Sequence, residues 1–261
     1  MKLSASLVLY KNDTDIVRQA VISLLNTPIT VNLSVVDNSP TDELRELFSE
    51  FKEYDVDYYF NNGDNVGFGK AHNLAISRGK NYEYHLVMNP DVYFDQNTLL
   101  ELINYLDSNM DVGLIQPRIL YPNGEVQYLC KHYPTFLALF FRRFIPKKMQ
   151  HKGIFKDYID WFEMRETGYD KIIDVPYLSG CFMLFNRKYL DEIGYFDENI
   201  FMYLEDADIT LRMSQKYRSI FYPYTCIYHY WARGSHKSKK LTLITIQSAF
   251  YFFNKHGWRI W

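Results

Sequence analysis

The chain has 261 residues, 48% of them hydrophobic and 23% charged, a globular balance sufficient for one large core or two small ones. A formal net charge of −2 supplies no basic field for nucleic acid. Cys130, Cys181 and Cys226 are too few and too scattered for a disulfide framework or a thiolate metal site, which points to a reducing compartment.

"MKLSASLVLYKND" has one Lys and too short an apolar run for a signal peptide, so residues 3–10 read as a first strand. Residues 14–26 place Ile16, Val17, Ala20, Val21, Leu24 and Leu25 at helical spacing. A strand follows at 31–37. A helix is expected over 39–51, with Ser39 or Thr41 as its cap. A strand at 56–60, a helix over 67–79 ended by Gly79, a strand at 84–88, a helix over 95–109 and a strand at 112–117 continue the alternation. That beat predicts an α/β fold with a doubly wound, mostly parallel central sheet flanked by helices.

After about residue 116 the beat changes. Residues 118–130 read as a hairpin turning at Pro122-Asn123-Gly124, and 136–153 is apolar and then basic. Residues 175–194 read as strand then helix, 205–216 as a helix, 219–231 as one or two strands and 241–258 as a packed helix. With no linker or repeat, one domain over 1–261 is expected, divided into halves at about 1–115 and 116–261. No apolar run approaches the roughly 18 residues of a membrane span, so a cytoplasmic protein is expected.

Ligands of such sheets bind beyond the carboxyl ends of the strands. Those positions are Tyr10-Lys11-Asn12, Asp37-Asn38-Ser39, Asn61-Asn62-Gly63 and Asn89-Pro90-Asp91, all polar-rich. Asp37 with Asn38 is either an Asx turn or a carboxylate for the imide N–H of a pyrimidine. The stretch containing Asn65, Gly67 and Asn73 lacks both the P-loop Lys and dinucleotide glycine spacing. It still suits close approach to a phosphate or ribose at a helix start. Pro90 ends its strand and keeps Asn89 extended, which displays Asp91 where it can hold Mg²⁺ or Mn²⁺ with a diphosphate.

Glu205, Asp206 and Asp208 follow Phe201-Met202-Tyr203. They are either favourable charge at a helix start, with Asp208 paired to Arg212, or a base beside an aromatic wall. His229, Trp231, Arg233 and His236 cluster further on. His229 is either structural or a partner to Asp91 in a metal shell, and Arg233 is placed to offset diphosphate charge. Residues 140–152 are either a solvated basic face or a contact with an anionic membrane or lipid-diphosphate acceptor.

Taken in order, "VVDNS", "NVGFGKAHNLAI", "VMNPDV", "SGCFMLFNRK", "GYFDENIFMYLEDADITLR" and "YHYWARGS" resemble the inverting family 2 glycosyltransferases, bacterial rhamnosyltransferases of O-antigen and capsule synthesis in particular. The resemblance runs from about residue 3 to 236. It implies a GT-A fold, a nucleotide-sugar donor, a divalent metal, and a saccharide or lipid-linked acceptor.

By that resemblance Tyr10, Asp37, Asn38, Asn65, Gly67, Asn73, Asn89, Asp91 and Arg233 face the donor. Asp91 and His229 hold metal, Asp206 is the base with Glu205 as fallback, and Ser179, Gly180, Tyr203 and Trp231 face the acceptor. Asn89 departs from the family's Asp-x-Asp motif and removes one charge from the metal shell. The donor implied is dTDP-β-L-rhamnose, with a UDP-sugar (galactofuranose, galactose or glucose) as the rival. A nucleotidyltransferase is disfavoured because "LYKNDTD" lacks its glycines, and the Glu205-Asp206 pair argues against a non-catalytic binding module. A homodimer and peripheral membrane contact remain open through the C-terminal helix.

Overall fold

The computed structural model describes residues 2–146, 149, 152–231 and 239–261. Its four leading strands are β1 (Lys2–Leu9), β2 (Thr30–Asp37), β3 (Val56–Phe60) and β4 (Tyr84–Met88). They pair in parallel in the order β3-β2-β1-β4. Leu9 lies opposite Asp37, Asp37 opposite Phe60, and Leu7 opposite Met88, so the polar residues that follow all emerge along one edge. The order reverses between β1 and β4, the place where such sheets open a crevice.

Helices α1 (Thr14–Leu25), α3 (Phe68–Arg78) and α4 (Thr98–Ser108) bury apolar faces on this sheet. Asp13 caps α1 by accepting from the N–H groups of Asp15 and Ile16 at 3.0 and 3.2 Å. A buried polar seam ties α3 to the sheet. The Ser6 hydroxyl lies 2.8 Å from His72 Nδ1 and 3.0 Å from His85 Nε2, and burial pushes His72 down to about 3, so the seam is neutral. The helix expected over 39–51 shrinks to α2 (Arg45–Ser49). Ser39 does not cap it, because its hydroxyl accepts from the Lys11 N–H at 2.8 Å and ties the loop after β1 instead.

Beyond β4 the sheet becomes mixed. The short β5 (Val92–Phe94), β6 (Val112–Leu120), β7 (Ile173–Asp174), β8 (Phe182–Asn186) and β9 (Arg218–His229) extend it as β4-β8-β6-β9-β5, with β7 on β9. β8 is antiparallel to β4 and β6, while β6 and β9 are parallel. The expected hairpin forms only at its tip. β6 already pairs on both sides over Leu114 and Ile115, so its return arm reaches only the Leu120–Val126 bridge and then crosses to a Lys131–Tyr177 bridge. The one or two strands expected over 219–231 form the single strand β9, interrupted where the partner of Pro117 is Tyr222 but that of Arg118 is Cys226. The slip skips Pro223, which has no N–H to donate.

Helices α5 (Phe136–Phe144), α6 (Gly153–Phe162), α7 (Arg187–Ile193), α8 (Glu205–Ser214) and α9 (Lys239–His256) cover the second half. Phe252 and Phe253 of α9 pack with Phe162, Leu204 and Ala207. Gly257, at φ +91°, stops that helix in a conformation few side chains tolerate.

Candidate active site

The donor-side residues meet at the carboxyl edge. Asn38 donates from Nδ2 to the Gly67 carbonyl at 3.3 Å and accepts from Asn61 at 3.1 Å, while Asn65 accepts the Gly67 N–H at 3.0 Å. Gly67 is required twice over. Its φ is +91°, and a Cβ there would lie 2.2 Å from the Phe201 carbonyl oxygen. The next residue, Phe68, donates its N–H to that same oxygen at 3.0 Å, which couples the α3 entry to the loop before α8. Tyr10 is half exposed beside a cleft of about 460 Å³ lined by Lys11, Asn12, Ser39 and Leu44.

Two donor-side residues already have protein partners. Asp37 is fully buried, and its oxygens already accept from the Ser39 N–H at 2.8 Å and the Tyr58 hydroxyl at 2.7 Å. The Ser39 contact is the Asx-turn arrangement. Asn73 clasps the Phe196 backbone in both directions, at 2.9 and 3.0 Å, and donates to Glu198 at 3.2 Å. Its amide fixes the loop that leads to α8.

Asp91 and His229, 138 positions apart in the sequence numbering, are brought together by the β5–β9 pair. Val92 lies opposite His229 and the Tyr230 N–H donates to the Asp91 carbonyl at 3.0 Å, leaving His229 Nε2 3.4 Å from Asp91 Oδ1. Gln127 sets the ring. Its Nε2 donates to the His229 and Leu120 carbonyls at 2.6 and 3.3 Å, so its Oε1 is the atom facing His229 Nδ1 at 2.9 Å. That acceptor takes the proton on Nδ1, so in the neutral ring it is Nε2 that carries the lone pair, toward Asp91. Asn89 anchors the corner through its N–H to the Cys181 carbonyl at 2.8 Å.

One hard carboxylate oxygen and one imidazole nitrogen fit Mg²⁺ or Mn²⁺ when a ligand diphosphate and water complete the shell. Among the described residues no group of three or more His, Cys, Asp or Glu forms a closed protein cage.

The acidic motif starts α8 after two successive non-glycine residues with positive φ, Tyr203 at 73° and Leu204 at 70°. Such strain persists only where surroundings impose it. Here the Met202 carbonyl accepts from Ser248 of α9, and Phe201 is held by Phe68. The two acids then diverge. Glu205 is buried with Oε2 lacking a hydrogen-bond partner. Burial, and then the adjacent Asp206 charge, push it well above the usual carboxylate range. Asp206 accepts the Gly180 N–H at 3.0 Å on Oδ2 and the Ala207 N–H at 3.0 Å on Oδ1.

Asp206 lines a cavity of about 780 Å³ that Ser179, Tyr203, His229 and Trp231 also line. Among the other lining residues that sequence reasoning missed are Gln127 and Lys131, neither of which carries a local motif. Arg233 and His236 lie outside the described residues, as does much of the basic run after Pro146.

The family described as "Glycosyl transferase family 2" matches residues 7–194. The chain is 27% identical over 218 residues to "Low-salt glycan biosynthesis hexosyltransferase Agl10" of Haloferax volcanii, covering 80% of this chain and 61% of that one. It is 23% identical over 252 residues to "N-acetylglucosaminyl-diphospho-decaprenol L-rhamnosyltransferase" of Mycobacterium tuberculosis, covering 90% and 78%. Among solved structures, the mannosyltransferase PcManGT of Pyrobaculum calidifontis, in complex with GDP-Man and Mn²⁺, superposes with a TM-score of 0.66 at 14% identity. That match covers 97% of this chain and 63% of the other.

Proposed function

Because the chain belongs to glycosyl transferase family 2, and is therefore a glycosyltransferase, we propose that it moves L-rhamnose from dTDP-β-L-rhamnose to a lipid-diphosphate-linked saccharide with inversion. The name of the mycobacterial relative supports both the sugar and the acceptor class. The observation that carries the reading is a single cavity lined by Asp206 and by His229, whose Nε2 faces Asp91.

Asp206 takes the proton from the acceptor hydroxyl as that oxygen attacks the anomeric carbon and the bond to the nucleoside diphosphate breaks. The Gly180 and Ala207 N–H groups hold its two oxygens in place. Burial, and then the Asp206 charge, push the Glu205 carboxyl well above the usual range, which disfavours a second negative charge beside the attacking oxygen. Asp91 and His229 would hold Mg²⁺ or Mn²⁺, which offsets charge on the departing diphosphate. Tyr10, Asn38, Asn65 and Gly67 frame the nucleotide, and Ser179, Tyr203 and Trp231 frame the acceptor. Replacing Asp206→Asn should leave the dissociation constant for donor within about threefold and lower turnover by about 10²–10⁴-fold. Unimpaired transfer would remove Asp206 from the role. Turnover with UDP-sugars but not dTDP-rhamnose would change the donor and leave the site intact.

A membrane surface completes the reading. Phe136, Phe140 and Phe144 stand exposed at four-residue spacing on α5, and Leu243, Ile246 and Phe250 stand exposed on α9. The two sets adjoin: the Phe136 N–H donates to the Arg259 carbonyl at 2.9 Å, and Arg143 hydrogen-bonds Thr242. Trp258, Ile260 and Trp261 extend the patch, with exposed Lys239, Lys240 and Arg259 around it. Arg143, Phe144 and Thr245 also line the cavity, so this face borders its mouth. Aromatic and basic side chains in that mixture suit the headgroup zone of an anionic bilayer. Among the described residues no helix is long and apolar enough to cross one. The reading places the enzyme at the inner face of the plasma membrane.

A further inference from the structure

The cavity that holds Asp206 also holds a cation that the reaction above does not use. Lys131 lines it while only 5% exposed. Its backbone exchanges N–H···O bonds with Tyr177, at 3.0 and 3.1 Å. The ammonium stands 4.0 Å over the Tyr177 ring and forms no ion pair among the described residues.

The charged groups that act on it are Asp206, Arg142 and Glu163. Glu163 is already matched by Arg165 at 2.6 Å and Arg142 at 3.9 Å, and Asp160 by Lys156 and Arg165. Burial and the Asp206 charge push the Glu205 carboxyl well above its usual range. A largely buried ammonium with a ring face at 4.0 Å and no ion pair among the described residues is poorly compensated. Burial pushes Lys131 down to about 8, so it still carries its charge at neutral pH.

We propose that Lys131 anchors an anion subsite for the acceptor, binding the phosphate or diphosphate attached to the acceptor sugar while Asp206 faces its hydroxyl. The inference rests on the reading of this cavity as the acceptor site. By that same reading the donor's own diphosphate goes with the metal at Asp91 and His229. Arg142, on the adjoining wall, adds positive potential along the path toward the exposed face of α5. A charge-matched, desolvated ammonium–phosphate contact then satisfies the buried cation, and a neutral acceptor leaves it unsatisfied.

Binding of inorganic pyrophosphate to the whole chain is measured calorimetrically in EDTA, so that no divalent ion directs the anion to Asp91. The wild type should bind saturably, Lys131→Met about tenfold or more weakly, and Lys131→Arg close to the wild type. Lys131→Gln serves as a second neutral variant, and near-UV circular dichroism checks that each is folded. Equal binding by the wild type and a folded neutral variant, or none by the wild type, overturns the subsite.

The second readout is KM for two acceptors alike in sugar, one N-acetylglucosaminyl diphosphate on a short isoprenoid and one neutral alkyl glycoside. Lys131→Met should raise KM for the first by about tenfold and not for the second. An equal effect on both, or a fall in kcat alone, overturns the proposal in favour of an influence on Asp206. If neither acceptor is glycosylated, the functional reading fails, and the pyrophosphate titration still decides Lys131.

Discussion

Asp206 and Glu205 adjoin in sequence but stand in different media, and this difference is what separates their chemistry. Asp206 faces the cavity with two backbone N–H groups on its oxygens, whereas Glu205 is buried with an unpaired oxygen. The same scale assigns the His229 tautomer, because Gln127 can present only its carbonyl oxygen to Nδ1 once its amide nitrogen is committed to two carbonyls. Gln127→Leu should therefore weaken Mn²⁺ binding in the presence of nucleoside diphosphate by about 10–100-fold. Electron paramagnetic resonance of free Mn²⁺ reads this directly. Unchanged Mn²⁺ affinity would mean that His229 does not depend on Gln127. Neither residue was legible as a pair in the sequence, where 102 positions separate them.

Among the elements, α9 is held to α8 by charge as well as by Phe252 and Phe253. Asp208, fully buried, meets Arg212 and the α9 residues Lys255 and His256 at 2.8, 2.6 and 2.7 Å. Burial alone would raise its carboxyl, but Arg212, Lys255 and His256 outweigh it and hold the group below the ordinary range. A depressed carboxyl adds stability above its unfolded value and loses it as pH falls through its folded value. Asp208→Asn should cost about 3 kcal/mol at pH 7, with the difference from wild type shrinking in acid. Urea midpoints at the two pH values measure this. A difference that stays constant with pH would show that the charge of Asp208 is not what holds α9. The Asp208–Arg212 pair was legible from its i, i+4 spacing, but its link to α9 was not, because 48 positions of chain intervene.

At the scale of the molecule, the GT-A sheet collects the donor corner and the acid pair at one edge, and α5 and α9 set an apolar, basic face beside the cavity mouth. The whole chain should sediment with vesicles containing anionic phosphatidylglycerol and bind neutral phosphatidylcholine several-fold less, with high salt releasing it. Phe140→Ser together with Phe144→Ser should abolish most of that binding and leave the circular dichroism spectrum unchanged. Retained binding would assign the membrane contact elsewhere. A concentration-dependent dimer relieved by the same substitutions would assign this face to a second copy of the chain.

Periodicity alone determined the alternating first half of this protein, since strands buried on both faces and amphipathic helices each impose their own spacing. Asn-Pro-Asp at the end of β4 and Glu-Asp at the start of α8 were equally visible, because a strand end and a helix start are local events. The helix expected over 39–51 formed only over Arg45–Ser49, with Ser39 engaged by the loop after β1, and the hairpin stopped early because β6 was already paired on both sides. Which acid is buried, which nitrogen of His229 points at Asp91, and where Lys131 places its charge were decided only by tertiary structure. Burial and long-range hydrogen bonds act on atoms that the chain brings together after it has folded, and no local pattern of residues carries that information.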